Sequence, residues 1–504
     1  MENKDSKVWG YFYRGAGARF TEDPAREMSA MQDETVPLKG LHAFDRAHVV
    51  MLLEQGLIPR EDGRLILRAL HEMDEEGYEA VRRRVGGAGH SGEAYLIQKL
   101  GMEIGGQLHL GRSSGDLLAV TIRIEERDRI LDMLEGISLL NKSLLELAGS
   151  HTTTVMPTYT HLQQAQPGSL AHYLVSWAYA FGRDFARLQG AYRRTNASPA
   201  GAAIGTGSPF SIDRERVASL LGFDSVLQNT RDAIFGFDHH LELFSSVAIL
   251  DSNLARLCSD LYLWSSHEFD MAELKDRFCG TSSINAGKKN PQALEQIQGL
   301  AALAIGALNT AFAIDRIPSE AWEIEWRTWS QQLWPLLRKT VQALTLLRMV
   351  LESTEFKTSR MAELANVGWI TSADLASALV REQALPWRIA HQVVAQLVRT
   401  CVERGIHSRE ITSGLVDEIA EARTGKKLSM PQAAIDQACN PLECVKMRQL
   451  IGGPAPEEMA RQIGQCRRTA DEQKNAVKAA RDSLTKAEAR LAEAVEALAG
   501  PARV

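Results

Sequence analysis

Four stretches of this chain carry apolar residues at helical spacing over unusual lengths, and that pattern limits the fold more than any other feature. The first runs Ile130, Met133, Leu134, Ile137, Leu140, Leu144, Leu147, and the second runs Leu170, Tyr173, Leu174, Trp177, Phe181, Phe185, Leu188. The third passes through Phe244, Val247, Leu250, Leu254, Leu257 and Leu261, and the fourth extends from Pro291 to about Ile314. Stripes recurring every three to four residues bury one side of a helix, and strand-like alternation is scarce. The expectation is an all-α chain built on an elongated helical bundle.

Punctuation between the stripes sets the domain plan. A chain of 504 residues exceeds what one core normally serves. Residues 1–112 read as an N-terminal helical domain with an irregular arm bearing Trp9, Tyr11, Phe12 and Tyr13, and residues 113–360 as the central bundle. Shorter helices over 361–463 suggest a small C-terminal helical domain. Residues 464–504 form an Ala-rich tail with Val477, Leu484, Leu491 and Leu498 seven apart, which suits a short coiled coil, a helix docked on the body, or a solvated single helix.

The polar loops precede helices. Gly280-Thr281-Ser282-Ser283-Ile284-Asn285-Ala286-Gly287-Lys288-Lys289-Asn290-Pro291 is doubly cationic, and Asn290-Pro291 reads as an N-cap and first helical position. Helix starts favour anions, so this loop is the candidate anion site. With 57 Lys+Arg against 63 Asp+Glu the net charge is only -6, which gives no general attraction to nucleic acid or membrane, and the cationic field must be local. Two further loops carry chemistry: His109-Leu110-Gly111-Arg112-Ser113-Ser114-Gly115-Asp116, and Met156 to Pro167 with Thr160 and His161.

Serine is a poor base unless a nearby ammonium makes its alkoxide tolerable, and Ser282 has Lys288 six residues on. If the substrate carries a carboxylate beside a C–H, proton removal builds a second charge there, which Lys288, Asn290 and the helix start would stabilise. His161 is placed as an acid or a leaving-group partner, with Glu295 one turn into the following helix to orient it. Ser113 and Ser114 suit either a helix cap or a substrate contact, and His109 and His90 rank below His161. No spacing suggests a metal, a P-loop, a dinucleotide fold or a nucleophile elbow, so no cofactor is expected. Six scattered cysteines without CxxC spacing, and the lack of a leader-like start or a run of about 18 apolar residues, lead to the expectation of a reduced, cytoplasmic chain.

The loops together resemble argininosuccinate lyase of the aspartase/fumarase superfamily, over about Trp9 to Ile463. Residues 281–291 are similar to the superfamily signature, Met156 to Pro167 to the MPxYTHLQxAQP segment, and Ala373-Asp374-Leu375-Ala376 and Ile451 to Glu457 also match. The resemblance implies a three-domain, largely helical homotetramer with active sites shared between subunits. It also implies anti elimination of fumarate from an N-succinyl compound without metal or organic cofactor. By position it makes Ser282 the base, puts Lys288 and Asn290 at the carboxylate, pairs His161 with Glu295, and sets Thr160 toward substrate; Ser283, Ser113, Ser114 and His109 are further candidate substrate contacts.

Departures from that pattern concern the substrate. Family members usually carry Ser-Arg-Asn-Asp where this chain has Ser113-Ser114-Gly115-Asp116, closer to the HxGxTSxD loop of adenylosuccinate lyases and carboxymuconate cycloisomerases. Losing that arginine removes a charge-assisted bond of roughly 1.5–3 kcal/mol. Ile314-Asp315-Arg316-Ile317-Pro318 replaces the run that helps bind arginine, Ala321 to Trp326 is similar to the WxxEW of cycloisomerases, and Asn285-Ala286 stands where Met-Pro is usual. The leading expectation is a fumarate-releasing C–N lyase for an N-substituted aspartate other than argininosuccinate. The alternatives are argininosuccinate lyase itself, a cycloisomerase or dicarboxylate lyase, and a noncatalytic crystallin-like scaffold.

Overall fold

The computed structural model describes residues 37–86, 88–316 and 334–500. The aromatic arm and the Ile317 to Trp326 departures lie outside the described residues. The N-terminal region holds α1 (Leu38–Glu54), α2 (Arg60–Glu76), α3 (Tyr78–Val85), α4 (Ser91–Leu100) and the single turn α5 (Met102–Gly105). They enclose their own core of Leu41, Phe44, Leu52, Ile66, Leu67 and Leu70.

The centre is a bundle of α6 (Ser114–Ser150), α7 (Leu170–Thr195), α10 (Asp238–Trp264), α11 (Gln292–Asp315) and α12 (Trp334–Ser353). Between α7 and α10 lie α8 (Arg214–Leu221) and α9 (Thr230–Phe235). At 37 residues α6 spans roughly 55 Å, and the stripe read from the sequence faces the bundle core, with Ile130, Met133, Ile137, Leu140 and Leu144 all buried. The architecture is all-α, as expected from the stripes.

Strands occur only as short pairs among the described residues. An antiparallel hairpin joins β1 (Val155–Thr160) to β2 (Gln163–Ser169), while β3 (Ala197–Ser198) lies parallel to β4 (Ser225–Val226). Two-residue antiparallel ladders link β5 (Ala272–Glu273) to β8 (Glu355–Phe356) and β6 (Gly280–Thr281) to β7 (Lys289–Asn290). A C-terminal cluster, α13 (Thr358–Val367), α14 (Ser372–Gln383), α15 (Trp387–Arg404), α16 (Ser413–Thr424), α17 (Gln432–Ala438) and α18 (Pro441–Lys446), has a separate core around Leu379, Val393, Leu397 and Val416.

The last helix ignores the break expected at residue 463. A single helix, α19 (Pro456–Ala499), runs through it. Met459, Ile463, Val477 and Leu484 enter the bundle core, and Leu491, Val495 and Ala499 enter the N-terminal core. The heptad seam is thus covered by the body of the same chain. Arg481 pairs with Asp132 of α6 at 2.5 Å, and Arg68 Nε donates to the Ala499 carbonyl at 3.0 Å. All six cysteines are free.

α11 behaves differently from its neighbours. Gln296 to Ile314 carries no charge, and the helix is long and apolar enough to cross a membrane, although Gln298, Asn309 and Thr310 break its sequence into shorter apolar runs. One face packs in the bundle through Leu294, Ile297, Leu300 and Ala304, while Leu303, Ile305 and Phe312 stand at least half exposed.

Candidate active site

The signature loop is a hairpin rather than a direct entry into a helix. Gly280 pairs with Asn290 and Thr281 with Lys289, so Asn290 is extended, Pro291 takes the N-cap position without a side-chain cap, and α11 begins at Gln292. The ladder has claimed the residue that the sequence assigned to the cap. Residues 282–288 project beyond it, and Ile284 is 96% exposed. Ser282 Oγ accepts the amide N–H of Asn285 at 3.1 Å and that of Ile284 at 3.4 Å, while Asn285 Oδ1 accepts from Gly287 N–H at 3.2 Å. Two backbone donors therefore meet at the hydroxyl oxygen.

The two lysines differ in their partners. Lys289 Nζ is held by Glu273 at 2.7 Å and Asp276 at 2.9 Å, and the hydrogen bond to Glu273 is the leading cause that raises its pKa. Lys288 is exposed and forms no ion pair among the described residues, which leaves its charge available to a ligand. Ser283 is exposed on the same loop, and Glu295 lies exposed in the first turn of α11.

His161 and Thr160 sit at the tip of the β1–β2 hairpin, a segment the sequence offered only as a loop. No Asn-Gly signal marks the turn, because its two central residues are His161 and Leu162, both at φ 57°. Consecutive non-glycine residues in the left-handed region are uncommon and carry strain. The stem is held by Thr158 Oγ1 donating to the Gln166 carbonyl at 2.8 Å and by Gln164 Nε2 donating to the Leu364 carbonyl at 3.0 Å. Thr160, His161 and Leu162 all face solvent. No hydrogen bond or ion pair joins His161 to Glu295 within the single chain.

The third loop is built on a buried charge network. Arg112 and Arg82 each reach Asp45 of α1 at 2.6 Å, and all three side chains are buried. Burial would raise the Asp45 pKa, but Arg112 and Arg82 hold it at about 2. His48 Nε2 lies 2.8 Å from the Leu110 carbonyl. With the loop so fixed, Ser113 caps α6 in a capping box: its Oγ accepts from Gly115 N–H at 3.4 Å and its own N–H donates to Asp116 Oδ1 at 2.9 Å. Ser114 turns to His90, whose Nε2 is 2.8 Å from its Oγ. His109 is half-buried nearby, its ring 4.9 Å from that of His90, and burial followed by Arg112 lowers its pKa to about 4.

Two partners of this loop escaped sequence reasoning. Asp116 accepts the Gly201 N–H at 3.0 Å while its own N–H donates to the Ala203 carbonyl at 3.1 Å, stitching the glycine-rich 201–207 segment onto the start of α6. Burial raises its pKa to about 6. Glu93 is buried between His90 and His109. The Ser113-x-x-Asp116 spacing signals only the capping box, and nothing local signals the hold of Asp116 on Gly201 and Ala203 or the place of Glu93.

The structure therefore groups Ser113, Ser114 and His109 in one cluster. It sets Ser282, Ser283, Lys288 and Asn290 on a second element, Thr160 and His161 on a third, and Glu295 at a helix start.

Comparison with known proteins agrees with this architecture. Residues 21–306 match the family model described as Lyase, and residues 369–446 match the argininosuccinate lyase C-terminal model. The chain is 35% identical over 449 residues to argininosuccinate lyase of Methanocaldococcus jannaschii, covering 89% of this chain and 91% of that protein. With argininosuccinate lyase of Methanosarcina acetivorans it shares 35% over 478 residues, 94% and 96% of the two chains. The crystal structure of EDDS lyase in complex with formate has a TM-score of 0.86 at 30% identity, covering 96% of this chain and 97% of that one. An EDDS lyase variant with bound fumarate gives 0.84 at 31% identity, with the same coverage of 96% and 97%. A muconate lactonizing enzyme from Pseudomonas putida, at 20% identity, shares the fold. The chain belongs to the lyase family as an argininosuccinate-lyase-like member of the aspartase/fumarase superfamily, and it is a carbon-nitrogen lyase.

Proposed function

We propose that the enzyme eliminates fumarate from an N-substituted aspartate other than argininosuccinate. The observation that carries this reading is the packing at Gly115. A Cβ there would lie 2.9 Å from the Ala203 carbonyl oxygen and 3.0 Å from the Ile204 side chain, so the asparagine usual in argininosuccinate lyases has no room unless the loop shifts. Ser114, which replaces the usual arginine, supplies a hydroxyl directed at His90 in place of a guanidinium. On this reading the carboxylate contacts made here differ from those that the resemblance implies for argininosuccinate.

In this reading Ser282 Oγ, as the alkoxide, takes the proton from the carbon beside a substrate carboxylate. The electron pair moves onto that carboxylate, and Lys288 and Asn290 support the resulting dianion, as donors placed where charge develops do. The pair then returns to form the carbon–carbon double bond, the carbon–nitrogen bond breaks, and the amine leaves with a proton. His161 serves as the acid or as the partner of the leaving nitrogen, and Glu295 orients it. Thr160, Ser283, Ser113, Ser114 and His109 contact substrate. None of these bond-making and bond-breaking steps is routed through a metal or organic cofactor.

A homotetramer completes the site in this proposal. The reactive groups stand on separate exposed elements of one chain, and α11 carries Leu303, Ile305 and Phe312 on its uncovered side, joined by Ile249 and Tyr262 on α10 and Met349 on α12. Helix packing between copies would cover that apolar surface and bring His161 of one chain to Glu295 of another. The free cysteines fit a cytoplasmic setting.

Argininosuccinate lyase itself is the second reading, favoured by the identity shared with the archaeal enzymes of that name. Running the reaction backwards separates the two. Fumarate is incubated with a panel of amines including arginine, and adducts are identified by mass. An adduct with an amine other than arginine supports the proposal, preference for arginine selects the second reading, and no adduct with any amine overturns both.

A further inference from the structure

Three side chains that the sequence keeps apart converge beside the 109–116 loop. His90 closes a short 3-10 turn, Glu93 lies in the first turn of α4, and His109 ends the 3-10 turn over Gly106–His109. Glu93 Oε2 is 3.3 Å from His90 Nδ1 and 3.7 Å from His109 Nδ1, and one ligand atom from each residue lies within 4.8 Å of the other two. A zinc-class ion with ligand distances of about 2.0–2.1 Å in a tetrahedron needs ligand atoms roughly 3.3–3.4 Å apart. The side chain of Glu93 is 3% exposed, and His109 Nδ1 is buried without a hydrogen-bond partner. Two imidazoles and one carboxylate are a known three-ligand set for zinc that leaves a fourth position open.

We propose that His90, Glu93 and His109 bind one divalent transition ion, and that the ion sets the direction of the hydrogen bond between His90 and Ser114. Without an ion, the tautomer that donates from Nδ1 to the Glu93 carboxylate leaves Nε2 as an acceptor, and the Ser114 hydroxyl donates to it. With an ion on Nδ1, the ring proton resides on Nε2, which donates to Ser114 Oγ. The Ser114 proton is then released toward the substrate pocket, where it meets a carboxylate as a donor. The second half of this proposal rests on Ser114 being a carboxylate contact, as in the function proposed above. Ion binding does not.

The full-length protein, stripped of metal, is titrated with Co2+ followed by visible absorption and with Zn2+ followed by calorimetry. One ion per chain with a tetrahedral cobalt spectrum is expected. Glu93→Gln and His109→Ala should each weaken binding at least about tenfold, and Ser282→Ala should leave it unchanged. Lack of saturable binding, or unaltered binding in a folded His109→Ala protein, overturns the ion site. Should Glu93→Gln fail to fold, His109→Ala, at a half-buried position, decides alone. Fumarate affinity is then measured with and without Zn2+, and an increase of about tenfold with the ion is expected from one added donor to a carboxylate. Equal affinity in both states overturns the coupling. Absence of fumarate binding in both states removes the coupling and the proposed fumarate-releasing function together, and the cobalt spectrum still decides the ion site.

Discussion

The backbone N–H of Asn285 donates to Ser282 Oγ at 3.1 Å, so the loop that presents the serine also supplies a donor for its oxygen. Replacement of Ser282 by alanine removes the group assigned as base. Turnover in the Ser282→Ala protein should fall by at least about a hundredfold, the lower bound for losing a positioned acid or base. Because 282–288 projects from the body, thermal unfolding should shift little, within about 0.5 kcal/mol. Retained activity in steady-state kinetics would remove Ser282 from its role.

At Gly115 the close approach of Ala203 and Ile204 yields a packing prediction. Gly115→Ala should destabilise the protein by about 1–3 kcal/mol through overpacking. Since the displaced 201–204 segment borders Ser114, KM should rise more than kcat falls. Denaturant unfolding and initial-rate kinetics on the same preparation check both, and a variant with wild-type KM would show that this contact does not shape the pocket.

Asp251 lies in the bundle core, where Thr340 Oγ1 donates to its Oδ2 at 3.0 Å and Oδ1 has no partner. Burial raises its pKa from 3.8 to about 7. Below about pH 4 both folded and unfolded states are protonated and the residue carries no pH-dependent cost. Between about pH 4 and 7 the unfolded chain loses the proton that the native state keeps, so stability falls as pH rises, and above about 7 the loss is complete. Relative to wild type, Asp251→Asn should gain stability across that window, on the order of 4 kcal/mol at about 1.4 kcal/mol per pH unit. Chemical denaturation at pH 4 and pH 8 measures the difference, and parallel pH profiles would contradict it.

The end of α19 joins two cores. Leu491 is buried against the N-terminal domain, and Leu491→Ala should cost about 2–5 kcal/mol. Ala489→Ser, at an exposed position two residues away, should cost under about 0.5 kcal/mol. Hydrogen exchange in α1 and α2 should quicken in the first variant only. Unchanged protection there would mean that the helix end rests on the domain without supporting it.

The helical architecture was legible because bundle helices repeat one instruction for many residues: the stripe from Ile130 to Leu147 is visible at any register and faces the core as read. The hairpin at His161 was not legible, since His-Leu is a poor turn signal and the bond from Gln164 to the Leu364 carbonyl, which ties the stem to the body, joins residues 200 apart in the chain. At Asn290 the local capping signal was present but lost to a two-residue ladder with Gly280. The seam from Val477 to Leu491 was readable as apolar, yet its partner was open until the chain itself was seen to cover it.

By itself the sequence determined the class of fold, the loops that bear serine, histidine and lysine, and the family, because each is encoded within a short window of chain. Only the tertiary structure decided that Glu93 stands between His90 and His109, that Asp45 ties Arg82 to Arg112, and that Ala203 closes over Gly115. Those contacts join residues from separate segments. Their energies depend on burial and on distances of a few ångströms, which no spacing along the chain expresses.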